Sequence, residues 1–335
     1  MGARMKVIQP VIITPDTMEA APFMVLPEPR EELVVQADED YQVFPLHINI
    51  PEDDYPLWAS ATAYEKGAYV MWKHHIYRAA AANTGVEPGA EVKPEDDDGT
   101  WFPKWVDYGL TNRWRMFDEK IGTSTTAEDA IVFTITPSSP VDSAAFFGVD
   151  AAAVTVTVFD PATGVVASKQ TAPVITDNIT DWYAYFFSPI ELREDFVLSG
   201  LPASNYYALE VRLEKPGGTV KAGAVVMGRT EEIGDALHGS SVGIIDYSRK
   251  ERDTFGNAII VERGFSKRAD FDVSVQTPRI GQIQRFLARN RAKPLVWIGE
   301  ETMEATILYG YYRDFSIVIS GPTVSDCTIS VEGLT

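Results

Sequence analysis

Cysteine is almost missing from this chain. Cys327 is the only one among 335 residues, which excludes an intrachain disulfide and a thiolate-rich metal cage and suits a reducing compartment, at least during folding. Histidine is nearly as scarce, with four in all. The one pair, His74-His75, is expected on a strand, where neighbouring side chains point to opposite faces and cannot chelate one ion together. His47 and His238 are too isolated in sequence to strengthen a site, though the fold could in principle bring them close, and no metal is expected. Positive charge is in deficit: 29 basic against 48 acidic residues leave a formal charge of -19. That net field repels phosphate backbones and anionic lipid, so neither nucleic acid nor a membrane surface is expected as a partner. Long apolar runs are missing too. No stretch reaches the ~18 unbroken apolar residues of a membrane span, and Met1-Gly2-Ala3-Arg4-Met5-Lys6 does not open a secretory signal. If the protein acts outside a cell, something else is expected to carry it there.

The signatures of covalent and nucleotide chemistry are lacking as well. There is no Gly-x-Ser-x-Gly elbow, no Walker loop and no dinucleotide glycine fingerprint ahead of a helix. Asp96-Asp97-Asp98-Gly99 lacks the alternating ligand positions of a calcium loop. It reads as a solvated acidic turn, as do Asp53-Asp54 and Glu231-Glu232. Glycosidase action would need two carboxylates across a cleft, and no pair is singled out. No catalytic residue, metal or cofactor is therefore expected, and the chain is read as a non-enzyme.

What the chain does have is enough apolar and aromatic mass, 45% and 11%, to build packed interiors over two or three domains in series. Residues 1–54 carry Pro10, Pro15, Pro22, Pro27, Pro29, Pro45 and Pro51, which break helix repeatedly. We expect an extended arm whose apolar runs, Val11-Ile12-Ile13 and Phe23-Met24-Val25-Leu26, pack on a partner or on later segments, or form an edge strand of the same chain. Residues 55–109 are dense in rings: Trp58, Tyr64, Tyr69, Trp72, Tyr77, Trp101, Trp105 and Tyr108. A unit this small needs large side chains to bury enough area, so most of these are expected in a core.

From 110 to 238 the period is two. Val154, Val156 and Val158 lead to a turn at Asp160–Gly164, and Tyr207, Leu209, Val211 and Leu213 lead to a turn at Lys215–Gly218. Such strands predict a β-sandwich of jelly-roll type. After a flexible connection at Gly239–Gly243, residues 239–335 are expected to be β-rich with one long helix, 278–293, that buries Ile280, Ile283, Phe286 and Leu287 and is stopped by Pro294. Two alternating sets follow: Phe315, Ile317 and Ile319, then Cys327, Ile329 and Val331. Cys327 thus reads as a core residue rather than a reactive thiol. The class is mainly β.

Trp58, Ala63-Tyr64, Gly67, Val70, Tyr77-Arg78-Ala79, Asn83, Pro88, Trp101 and Trp105 together resemble the small chitin-binding-type carbohydrate-binding modules of families five and twelve. The match covers about a sixth of the chain. The resemblance implies a short twisted sheet with exposed rings that stack on sugars. The paired aromatics those modules carry are replaced here by Ala79-Ala80-Ala81-Ala82, which leaves Tyr69, Trp72 and Trp101 as substitute stacking platforms. The junction from Trp105 to Asp118, with Asp246-Tyr247-Ser248 through Thr254-Phe255-Gly256 and the block from Phe286 to Trp297, resembles phage and prophage virion proteins of the tail or baseplate.

What these resemblances imply is a structural component of a bacteriophage tail, near the tip or baseplate. It would be made in the host cytoplasm and localised to the virion, would join other tail proteins as a homo-oligomeric ring, and could present a surface for host polysaccharide. The helix, locally cationic through Arg285, Arg289 and Arg291, is expected either to dock an acidic neighbouring subunit or simply to cover a sheet. A second reading is a host-surface glycan-binding adhesin, and a third is a polysaccharide-degrading enzyme.

Overall fold

Alternating apolar residues need a covered face, and this chain covers them by closing and stacking sheets. A computed structural model describes residues 3–13, 48–90, 103–173, 193–204, 206–252, 254–255 and 257–335. In chain order its strands are β1 (Arg4–Pro10), β2 (Ala63–Tyr64), β3 (Tyr69–Trp72), β4 (His75–Ala79), β5 (Asn83–Thr84), β6 (Trp105–Leu110), β7 (Thr125–Ile135), β8 (Ser143–Phe147), β9 (Ala153–Phe159) and β10 (Val166–Pro173). They continue with β11 (Phe196–Ser199), β12 (Ala208–Ala222), β13 (Ala224–Ala236), β14 (Ser241–Asp246), β15 (Arg249–Arg252), β16 (Ala258–Val261) and β17 (Phe265–Gln276). The helix α1 (Ile280–Arg289) precedes β18 (Leu295–Ile298), β19 (Ile307–Val318) and β20 (Val324–Gly333). The architecture is mainly β with several sheets and one C-terminal helix.

The largest sheet runs β11-β8-β13-β1-β18-β19-β20-β17-β14, and β17 pairs back onto β13 through Asp235 with Ser274 and Ala236 with Val273. Six strands, β13, β1, β18, β19, β20 and β17, thereby close into an antiparallel barrel. Closure removes the open edges that a six-stranded sheet would otherwise expose. Inward rows fill it: Met5 and Val7, Ile233, Phe271, Val273 and Val275, Leu295 and Trp297, Leu308, and Cys327, Ile329 and Val331. Ile283, Phe286 and Leu287 of α1 pack against the same core. Trp297 is fully buried, and its indole N–H donates to the Gly310 carbonyl at 3.0 Å. Two glycines sit where backbones approach closely. A Cβ on Gly234 would lie 2.4 Å from the Ser274 carbonyl oxygen, and one on Gly310 would lie 2.0 Å from that of Glu332.

The other core lies between the β11-β8-β13 end of this sheet and a four-stranded sheet ordered β10-β9-β12-β7. Val154, Val156 and Val158 meet Ile131, Phe133 and Ile135, Leu209, Val211 and Leu213, and, from the opposite sheet, Phe146, Phe196 and Met227. The barrel shares β13 with this stack, so strands on either side of residue 238 belong to one sheet.

Several local expectations are corrected. Residues 4–10 of the expected arm form an interior strand, not an edge, because β13 pairs along one side of it and β18 along the other, with Met5 and Val7 in the barrel core and Ile8 in the cluster on the opposite face; Phe23–Leu26 lies outside the described residues. Lys215–Gly218 is not a turn that ends a strand. β12 runs through it as a bulge opposite Asp129, whose carboxylate accepts the Gly217 N–H at 2.7 Å, with Gly217 at φ +75°. Ser241, Val242 and Gly243, expected in a flexible connection, begin β14. The helix stops at Arg289, four residues early, because the Asn290 side chain turns back onto the Phe286 carbonyl at 3.0 Å and Ala292 takes φ +57°. Ile319 lies beyond β19 and is exposed. Glu231 and Glu232 are not in a turn but on β13, where Glu232 meets Arg4 at 3.0 Å and Glu231 meets Arg279 at 3.9 Å. The turn at Asp160 is as expected: its carboxylate accepts the Ala162 N–H and the Thr163 hydroxyl, bonds that hold it below the usual carboxylate range. Cys327 is buried, and burial pushes its thiol up to about 11.

Candidate functional site

The aromatic unit is built on β3, β4 and β6, with β2 and β5 paired beside them. Trp72 and His75 face each other across a two-residue hairpin turn formed by Lys73 and His74, both at positive φ, 48° and 66°. That is the backbone a tight hairpin demands, since it matches the twist of the flanking strands. His74 is thus in a turn and not on a strand as expected. Its Nδ1 lies 2.9 Å from Glu52, which also accepts from the Thr111 hydroxyl at 2.7 Å, while His75 lies 3.0 Å from Asp107. Each imidazole is committed to a different carboxylate. Among the described residues no group of three or more His, Cys, Asp or Glu could hold a metal ion.

Fewer rings are core than the size argument expects: Trp105 is buried, and Trp58, Tyr64 and Tyr77 pack half-buried against its cluster. Trp105 is buried with Val70 and Ala79, donates its indole N–H to the Val86 carbonyl at 2.8 Å, and meets Tyr64 edge-on. The two remaining stacking candidates that fall on described residues, Tyr69 and Trp72, are three apart on β3 and so project from opposite faces. They sit in separate clusters. Tyr69 stacks on Tyr55, with centroids 5.0 Å apart and planes at 18°, takes Tyr108 edge-on at 5.5 Å, and has the Arg78 guanidinium 5.7 Å from its centre. Its hydrogen bond with Tyr108, then partial desolvation, raises the phenol above its ordinary value. Trp72 meets Trp58 edge-on at 4.9 Å and donates its N–H to Glu87 at 3.0 Å, and the Lys73 ammonium lies 5.4 Å from its ring centre. Trp101 lies outside the described residues. Tyr55 and Tyr108, 39% and 60% exposed, complete the more open cluster. Ring density alone did not single them out, because chain position does not show which rings share a face.

The second candidate surface is cationic. From Thr277 to Gly299 the chain has Arg279, Arg285, Arg289, Arg291 and Lys293 and not one acidic residue. The apolar face of α1 lies on the barrel core, and the Tyr312 hydroxyl donates to the Leu287 carbonyl at 3.0 Å, which turns the arginine-bearing face outward. Arg285, Ala288, Arg289, Arg291 and Lys293 line one concavity of about 590 Å³. The structure therefore brings Arg285, Arg289 and Arg291 together and adds Lys293 to them. Among the described residues none of these four cations has a carboxylate within ion-pair distance. Arg279, by contrast, is spent on Glu231 and on the Glu232 carbonyl. Like charges one helical turn apart repel, as Arg285 and Arg289 do. A concave cluster of this kind recovers that cost when an anionic surface enters it.

Among the described residues no helix is long and apolar enough to cross a membrane. No protein-family model matches the chain, and no curated protein matches it either.

Proposed function

We propose that this protein is a structural, non-catalytic component of a bacteriophage tail in the tip or baseplate region, made in the host cytoplasm and built into the virion in several copies. The observation that carries the reading is the concavity of Arg285, Arg289, Arg291 and Lys293 on a chain of net charge -19. Exposed cations that have no carboxylate at ion-pair distance among the described residues suit an acidic surface of a neighbouring protein, which they would orient and attract at long range. In this reading the two stacked sheets form a jelly-roll-like unit, residues 55–109 serve as a carbohydrate-binding-type module reused as a rigid spacer, and the barrel supplies the contact with other tail proteins. Function is placement. The test is mass spectrometry of purified particles: the chain is expected at a fixed ratio to the tail proteins, and its absence from mature particles overturns the proposal. The double substitution R285E/R289E is expected to leave the melting curve unchanged and to yield particles lacking the protein.

A second reading, glycan binding, is favoured by one observation, the open cluster of Tyr55, Tyr69 and Tyr108. Flat rings of this kind can cover the apolar face of a pyranose. A glycan array with the wild type beside Y108A tests it, and equal signals from the two, or none from either, reject it.

A further inference from the structure

Beyond the barrel the ribbon of β14 and β17 does not end. Tyr247 donates its N–H to the Gly264 carbonyl at 3.3 Å, and the chain then pairs again as β15 and β16. The Tyr247 hydroxyl ties the base of this extension to Ser266 at 3.2 Å and to Glu332 at 3.1 Å. Four residue pairs, Arg249 with Val261 through Arg252 with Ala258, carry the ribbon a further ~13 Å. All eight residues are exposed. A two-stranded ribbon alone in water is marginal at best.

Its two strands differ in kind. β15 is Arg-Lys-Glu-Arg, a charged edge of the sort that blocks strand addition. β16 is Ala-Ile-Ile-Val, apolar on both of its faces, with Ile259, Ile260 and Val261 48%, 68% and 46% exposed. A strand apolar on both faces is the pattern of one covered on both sides. Among the described residues nothing pairs with the outer edge of β16. The same chain also carries a receiving edge: β14 ends the large sheet, pairs among the described residues only with β17, and exposes Val242 and Ile244 at 51% and 61%.

We propose that β16 of one copy adds to the β14 edge of a second copy of this chain. One observation selects a second copy as occupant: both halves of the contact, an unguarded apolar strand and an open apolar edge, lie on one chain. The other strand of the ribbon stays charged and guarded, with Arg249 paired to Glu251 and Lys250 to Asp246, which leaves β16 as the edge that can add. The contact is heterologous, so copies join head to tail, and they close where the rotation permits. One ribbon buries less than the ~1,200 Å² of a stable pair. Closure, in which every copy both gives and receives, is what holds the assembly together. The inference rests on the tail reading only in naming the joint between copies, and it stands or falls on its own experiment.

That experiment is sedimentation velocity of the full chain from ~1 to ~100 μM. The wild type is expected to pass to a species of three or more copies. I260E and V242E are each expected to remain monomeric, with self-association weakened at least about 100-fold and wild-type melting curves, because both residues are exposed. V165E, at an exposed position just before β10 in the four-stranded sheet, which contains neither β14 nor β16, is expected to assemble normally. Mixed together, I260E, which keeps its receiving edge, and V242E, which keeps its arm, can make one open joint but no closed assembly, and the mixture is expected to form no species of three or more copies. A wild type monomeric throughout, variants that assemble unchanged, or a mixture that assembles as the wild type does overturns the inference. Assembly through another surface would defeat this joint and leave the tail proposal intact, whereas absence from particles would defeat that proposal and leave the joint intact.

Discussion

Deleting residues 1–12 removes β1, and its effect can be worked from the barrel. Met5, Val7 and Ile8 are all fully buried, the first two in the barrel core and Ile8 in the cluster on the opposite face with Val296 and Ile298. At about 1.5–3 kcal/mol for each buried side chain, their loss costs roughly 5–9 kcal/mol. β1 also pairs along its whole length with β13 and through Lys6, Val7 and Ile8 with β18. Its removal therefore opens two strand edges inside the barrel wall. A domain holds only about 5–15 kcal/mol of stability in all, so the truncated barrel is expected not to close. Guanidinium titration followed by tryptophan fluorescence, which includes Trp297, reports this, and hydrogen exchange at 295–298 should rise to that of unstructured chain. A synthetic peptide of residues 3–13 added in trans should restore protection. Met5→Ala is the graded version, expected to cost about 2–5 kcal/mol. A truncated chain that melts cooperatively within ~2 °C of the full one would refute the placement of β1 and the closed barrel with it.

Other consequences follow from single residues. Gly234→Ala places a methyl 2.4 Å from the Ser274 carbonyl at the barrel seam and is expected to cost about 1–3 kcal/mol, measured by denaturant midpoint; a neutral result would mean that β13 and β17 do not meet there. Glu210 is buried on β12, and desolvation raises its carboxyl above the usual range, although Arg212 partly opposes this. A raised folded value means that the group's contribution to stability is full below the unfolded value of ~4.3 and is lost as pH rises through the folded one. E210Q is therefore expected to match the wild type near pH 4 and to exceed it near pH 7 in paired urea melts; the reverse order would contradict the assigned burial.

Much of the strand pattern was legible because period two reports burial directly. Val154, Val156 and Val158, Leu209, Val211 and Leu213, and Cys327, Ile329 and Val331 all face cores. The buried face of α1 was readable from its spacing for the same reason. What period two does not report is the neighbour. Residues 4–10 pair with 228–235 and with 296–298, and nothing local in Met5-Lys6-Val7-Ile8 encodes partners so distant. The Pro-Gly-Gly of 216–218 has the composition of a turn, but a long register on both sides of it makes a bulge. His74 left the expected strand because a two-residue hairpin fixed the turn there. Of the candidate sites, the arginine cluster was visible as charge, although its concavity was not. The Ala258–Val261 strand has the composition of a core strand, and nothing in its sequence signals that it is exposed.

The most direct measurement is cryo-electron microscopy of purified phage particles at a resolution that traces strands. The account predicts several copies of the barrel arrayed around the tail axis, with Arg285, Arg289, Arg291 and Lys293 closed against an acidic neighbour. Particles without the chain, or with that concavity open to solvent in every copy, would contradict it.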